Sequence, residues 1–348
     1  MDLQSHIHGC IVTLMILFFL IILYLFGLGL KSSAAHCFDK STVTVLKPIL
    51  ALGIVLHHLQ GQSVILHEFY RWGPLIVGVF FFISGYGLTY SFKNKPNYLH
   101  NFFVDRVLLK LLLPYVLALF LELSLNWHWV GYSLSDHIFN SAGPSLFSND
   151  WFMFALFYCY LIFALAGHFH SDSIRLSFIF IGVLSFVLFT AFMGYGRNWW
   201  ATPMAFSVGT IYQYNESAII RLLADKKNYI LSNLFFLVGF GLLISLSFIY
   251  KHHATTVMVY SLLPLWIVTV FSRLDLSKMA KNKYIIWGSN ISFELFLVHG
   301  IIIDFLKAER FTTGIPFVVT TLLISICAAF LLNLTTKVIK TLKVRMCK

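Results

Sequence analysis

Lys47, His57 and His58 share one apolar stretch of this chain, KPILALGIVLHHLQ, where packing alone asks for no ionisable group. If the stretch is a helix, the eleven steps from Lys47 to His58 bring the two onto one face, within about 20° of each other and about 16 Å apart along the axis. A lysine at one end of such a stripe can hold an anion. A neutral imidazole deeper along it can take a proton from an alcohol. Plainer readings stand beside this one. Lys47, followed by the first-turn proline Pro48, is also placed as a snorkelling lysine at a helix entrance, and the histidines as polar contacts between helices. On these residues alone, either His57 or His58 serves as the base.

Four other segments carry polar groups in apolar surroundings. In FFFISGYGLTYSF, Ser84, Gly85 and Tyr86 interrupt a run of bulky residues. Gly78, Gly85 and Gly87 either let helices approach closely or leave a backbone bare for a ligand. Ser84, Tyr86 and Asn290 are the candidates for stabilising an oxyanion beside the base, so Ser84 and Tyr86 join His58 in the expected catalytic set. In NFFVDRVLLKLLLPY, Arg106 and Lys110 fall at i and i+4 on one face. With Lys47 they form a phosphate-binding mouth, unless they only anchor the chain on its inner side. The outward RNWWATP joins Arg197 to Trp199 and Trp200, and Trp151 follows Asn149 and Asp150. Cation and ring suit a sugar, and an interfacial belt explains them as well. SNISFELFLVHG places Asn290 and Glu294 four residues apart, with His299 beyond. An intramembrane glutamate is hard to attribute to packing. Trp151, Arg197, Glu294 and His299 are therefore the expected acceptor-binding residues. Glu122 and Asp304, near helix ends, carry less information.

The elements that must position these groups follow from composition. Of 348 residues, 59% are hydrophobic and 11% charged, against about 25% charged in soluble domains, and the mean hydropathy is +0.81. Apolar runs of roughly 18 to 22 residues match a helix crossing a bilayer, and the short alternating segments of a barrel are not seen. The fold class is all-α and polytopic, with about eleven spans near 9–30, 43–61, 74–92, 104–125, 151–167, 174–194, 200–215, 229–250, 256–272, 285–306 and 314–336. With the N-terminus outside, alternation leaves only Arg71, Arg197, Lys251, Lys307 and Arg310 of the 25 lysines and arginines on the outer side. The chain is thus expected in the plasma or inner membrane with its C-terminus cytoplasmic. That asymmetry accounts for the net charge of +11 without a nucleic-acid partner. The first eight residues lack Lys and Arg, so the first run is read as a retained span and not a cleaved leader. Residues 1–42 form an N-terminal helix and cytoplasmic loop, 43–336 the main transmembrane domain, and 337–348 a basic cytoplasmic tail. The five cysteines are scattered, and neither a disulfide framework nor metal-ligand spacing is visible.

Taken together, these segments resemble acyltransferase family 3 of membrane-bound O-acyltransferases. That family carries an arginine, ten residues and a catalytic histidine on its first core helix, a spacing repeated by Lys47 and His58, which selects His58 over His57. FFFISGYGLTYSF is similar to the family's FFxxSGF segment. FVDRVLLKLLLPY is similar to its RxxxRLxPxY stretch, with Arg106, Lys110, Pro114 and Tyr115 in place. WFMFALFYCY resembles the tryptophan segment, and NISFELFLVHG the closing S-x-x-LYLxH segment, through Ser292 and His299. The resemblance covers spans two to eleven and leaves the first span as an addition to a ten-helix core. Two departures matter. Lys47 replaces the arginine and loses its bidentate fork, and Thr44 stands where the family has an aspartate. The resemblance implies acyl transfer from acetyl-CoA or another acyl-CoA, a co-substrate and not a bound cofactor, to a hydroxyl of a surface or lipid-linked glycan, with membrane lipids as the remaining partner. A polytopic transporter or flippase for a glycan or lipid precursor is the competing class.

Overall fold

The structure is a computed structural model that describes residues 39–62, 64–130, 143–146, 150–250, 253–271 and 273–346. The expected span at 9–30 lies outside the described residues. Each of the other ten has a helical counterpart: α1 (Lys40–His58), α2 (Trp72–Asn94), a π-helical run (Phe103–Leu112) continuing into α3 (Leu113–Val130), α4 (Trp151–Ala166), α5 (Asp172–Phe192), a short α6 (Arg197–Ala201) leading to α7 (Met204–Ala224), α8 (Lys226–Tyr250), α9 (His253–Phe271), α10 (Lys283–Ala308) and α11 (Ile315–Met346). The protein is an all-α polytopic membrane protein. Six helices among the described residues are long and apolar enough to cross a bilayer. The expected basic tail from residue 337 continues α11 as far as Met346.

Helix starts are written locally. Asp39 caps α1, its carboxylate accepting from Thr42 N at 2.8 Å and Thr42 Oγ1 at 2.9 Å, which satisfies first-turn donors and fixes where the Lys47–His58 stripe begins. In the π-helical run the hydrogen bonds reach back five residues, and at its end Leu113 N–H still bonds Leu108 O. This uncommon geometry falls on the segment that carries Arg106 and Lys110.

The interior is set by close approaches. A Cβ at Gly85 would stand 2.1 Å from Phe206 O, and one at Gly209 2.2 Å from Phe82 O. α2 and α7 therefore touch backbone to backbone, and Tyr86 Oη donates to Glu216 Oε1 at 2.7 Å across the same seam. At Gly78 the backbone of α9 intervenes, with Tyr260 O 2.7 Å from a built Cβ. The bare backbone at Gly78 and Gly85 thus serves helix packing and not a ligand, which decides between the two readings of this glycine-rich span.

On the other side of α2, Gly73 lies under His57, and a Cβ at Gly53 would meet Ile76 Cδ1 at 2.7 Å, so α1 and α2 run antiparallel. α1 and α10 run parallel. Pro48 packs on Gly288 at 3.0 Å from its built Cβ, and His58 meets His299, with ring centroids 5.0 Å apart.

Gly85→Ala and Gly209→Ala are each expected to force α2 and α7 apart at a cost of about 1–3 kcal/mol. Gly87, whose built Cβ meets nothing within 4 Å, is the control. Thermal unfolding midpoints in detergent should fall for the first two and stay near wild type for Gly87→Ala.

Candidate active site

The stripe expected on α1 is present, and its two ends lie in different surroundings. At the upper end, His57 and His58 close the helix. His57 Nδ1 lies 2.9 Å from Phe69 O, and its ring covers Gly73 so closely that a Cβ there would be 2.4 Å from Nε2. His57 is tied down. His58 makes no side-chain hydrogen bond among the described residues and lies between two imidazoles, 4.8 Å from His57 and 5.0 Å from His299 by ring centroid. His299 is fully buried. Its Nδ1 faces Phe296 O at 2.7 Å and Leu295 O at 3.2 Å, while Nε2 has no partner among the described residues. Below the imidazoles come aromatic rings: Phe296 against His299 at 5.8 Å, Phe152 against Phe296 at 4.7 Å, and Phe81 against Phe152 at 4.8 Å.

At the lower end cations gather. Lys47, Arg106, Lys95 and Lys340 are the charges within electrostatic range of Lys110. The Arg106 guanidinium stands over the Tyr98 ring, 5.4 Å from its centroid. Burial pushes the Tyr98 hydroxyl pKa up against the pull of Arg106, so Tyr98 stays neutral and offers its face. Beside it is an open hollow of about 630 Å³ lined by Phe92, Lys95, Asn97, Tyr98, Leu99 and His100. The expected mouth of Lys47, Arg106 and Lys110 is thus brought together from α1 and the π-helical run. α11 adds Lys340, which by sequence was one of several tail lysines and carried no distinguishing signal.

Between the ends lies Glu294, 5% exposed. Asn333 of α11 donates one amide to Glu294 Oε1 at 2.7 Å and to Asn290 O at 2.9 Å, so the Asn290–Glu294 turn is stapled to α11. The opposite charge of Glu294 acts on Lys47 and on Lys340. Ser292 turns back on its own helix, donating to Gly288 O at 2.6 Å.

The oxyanion expectation for Ser84 and Tyr86 does not fit this geometry. With Gly73 at the level of His57, Ser84 is eleven residues further down α2, about 16 Å away. Both residues stand at the level of Lys47, and the Tyr86 hydroxyl is taken by Glu216. Arg197, exposed at the head of α6, does belong to the upper end, since its charge reaches His57. Trp151 opens α4. With the Asn198 amide turned to donate to Gly196 O, its oxygen accepts from Trp151 Nε1 at 3.1 Å, linking α4 to α6. Two residues named by sequence without a role in the site also have partners here. Lys307 of α10 acts by charge on His58, although its type suggested only a helix-end anchor. Buried Asp150 receives Tyr115 Oη at 2.9 Å and Leu146 N at 2.7 Å; its place before an apolar run was the available signal.

Asn333→Ala is expected to strand the buried Glu294 carboxylate and destabilise the protein by about 1–3 kcal/mol. The additional change Glu294→Leu, which removes the stranded group, should recover part of that loss in thermal melts.

Compared with known families, residues 41–334 match the one described as the acyltransferase domain. No curated protein and no solved structure matches the chain.

Proposed function

The chain belongs to this acyltransferase family, acyltransferase family 3, and from that premise we propose that it moves an acetyl group from cytoplasmic acetyl-CoA to a hydroxyl of a surface or lipid-linked glycan, with His58 as general base. One observation carries the reading: a single stripe of α1 has a cluster of cations at its foot and, at its head, an imidazole that makes no side-chain hydrogen bond among the described residues. Coenzyme A is a polyanion joined to a thioester by a long arm. In this reading Lys47, Arg106, Lys110 and Lys340 hold its phosphates through charge-assisted hydrogen bonds, and the arm rises past the Phe152 and Phe296 rings to His58. The foot of the stripe then faces the cytoplasm, as the distribution of lysine and arginine requires.

The step is a direct transfer. His58 removes the proton of the acceptor hydroxyl as its oxygen attacks the thioester carbonyl carbon. The tetrahedral intermediate collapses with cleavage of the C–S bond, and the departing thiolate takes the proton from the imidazolium. Trp151 and Arg197, at the same end as His58, supply a ring and a cation for the sugar, and Lys307 adds positive charge near the intermediate. Lys47 is a point charge without a fork. In the proposed mouth Arg106 is the residue that can bind phosphate bidentately.

In inverted membrane vesicles given labelled acetyl-CoA, wild-type protein should transfer label to glycan, and His58→Ala should lower transfer at least about 100-fold at normal protein level. Unchanged transfer by His58→Ala would rule out the base. Lys47→Ala should raise the KM for acetyl-CoA about tenfold or more with kcat little changed, because it removes binding made equally in ground and transition states.

A further inference from the structure

Three features of His299 point the same way. It is fully buried on α10. Its Nδ1 lies within bonding distance of the Phe296 and Leu295 carbonyls, and carbonyls only accept, so Nδ1 carries the hydrogen and Nε2 is left with its lone pair. That Nε2 has no partner among the described residues, a costly condition for a buried acceptor. Among the described residues, the nearest ring able to supply a donor is His58, 5.0 Å away centroid to centroid and inclined by 40°. His57 does not compete, because its Nδ1 is committed to Phe69 O and its other edge is pressed on Gly73.

We infer that His299 is the positioning residue of a histidine dyad, accepting a hydrogen bond from one ring nitrogen of His58 so that the other faces the acceptor hydroxyl as an unprotonated base. The inference rests on His58 being the base. Which nitrogen of an imidazole is basic is set by the hydrogen bond made by the other one, and in the serine hydrolase triads a carboxylate has that task. Here a neutral imidazole, locked by its own helix, replaces the carboxylate. When His58 takes the proton of the hydroxyl it becomes an imidazolium with two N–H groups. One stays on His299 Nε2, and the other returns its proton to the leaving thiolate. His299 itself neither gains nor loses a proton and touches no reacting atom.

Two substitutions separate this role from simple packing. His299→Asn keeps an amide N–H where Nδ1–H bonds the Phe296 carbonyl but is too short to offer an acceptor in place of Nε2. His299→Gln reaches the Nε2 position with an oxygen. In the vesicle assay His299→Asn should lose roughly 10- to 100-fold in kcat with the KM for acetyl-CoA within about twofold of wild type. His299→Gln should stay within about fivefold in both. The dyad is overturned if Asn retains wild-type kcat, if Gln loses as much as Asn, or if KM rises while kcat holds. His58→Ala, run in parallel, separates the two ideas. An active His58→Ala removes the base itself, whereas an inactive His58→Ala beside a fully active His299→Asn removes only the dyad.

Discussion

The packing of α1 against α10 is the constraint on which the site depends. Pro48 rests on Gly288 at one level, and about three turns higher His58 rests on His299. Since eleven residues separate Gly288 from His299 on α10 and ten separate Pro48 from His58 on α1, the two helices keep register over about 16 Å. Polar groups on either helix therefore meet their counterparts without adjustment. Gly288 favours it, because a Cβ there would stand 3.0 Å from Pro48 Cβ, a tight contact to which the neighbour must yield by a few tenths of an ångström.

Direction follows from the same packing. α1 and α10 are parallel, α1 and α2 antiparallel, and the side-chain contacts between α2 and α7 (Phe82 with Tyr212, Tyr86 with Glu216) advance together along both helices. Successive crossings of a bilayer by the spans at 43–61 through 285–306 require these relative directions. The packing gives only these relative directions, and the side on which each end lies is an expectation from the charge count alone.

How much could be read beforehand varied with the kind of information needed. The Lys47–His58 stripe was legible because it depends only on helical period within one segment, and the basic mouth was legible in part because Arg106 and Lys110 share a turn. Partners on other helices were not. Period gives the angle of Tyr86 around α2, but whether that angle faces His58 or Glu216 depends on which helix lies there. Depth misled as well. Ser84 lies in the middle of its apolar run and His58 near the end of its own, so an assumption that polar groups in neighbouring spans meet fails by about eleven residues. Lys340 and Lys307 were hidden for a different reason, since a cation that anchors a helix end and one that faces a site have the same sequence signature.

The distribution of polarity along the stripe also bears on the competing class. A carrier that passes a glycan or charged headgroup across the bilayer must solvate it at every depth, so its path is polar from end to end. Here polarity is concentrated. Cations cluster at one end and imidazoles at the other. Between them stand Phe80, Phe81, Phe152 and Phe296, linked by ring contacts, with Glu294 and its Asn333 partner beside them. Such a wall would desolvate a sugar at large cost, but it suits an alkyl amide arm that is itself mostly apolar. For the proposed thioester donor, such a wall would also limit hydrolysis, the competing reaction. In the proposed reading, this aromatic middle is the side of His58 from which the donor arm arrives, and it opposes passage of the acceptor. On that reading the acceptor approaches His58 from the opposite end, and the boundary between the rings and the imidazoles is the level proposed for their meeting.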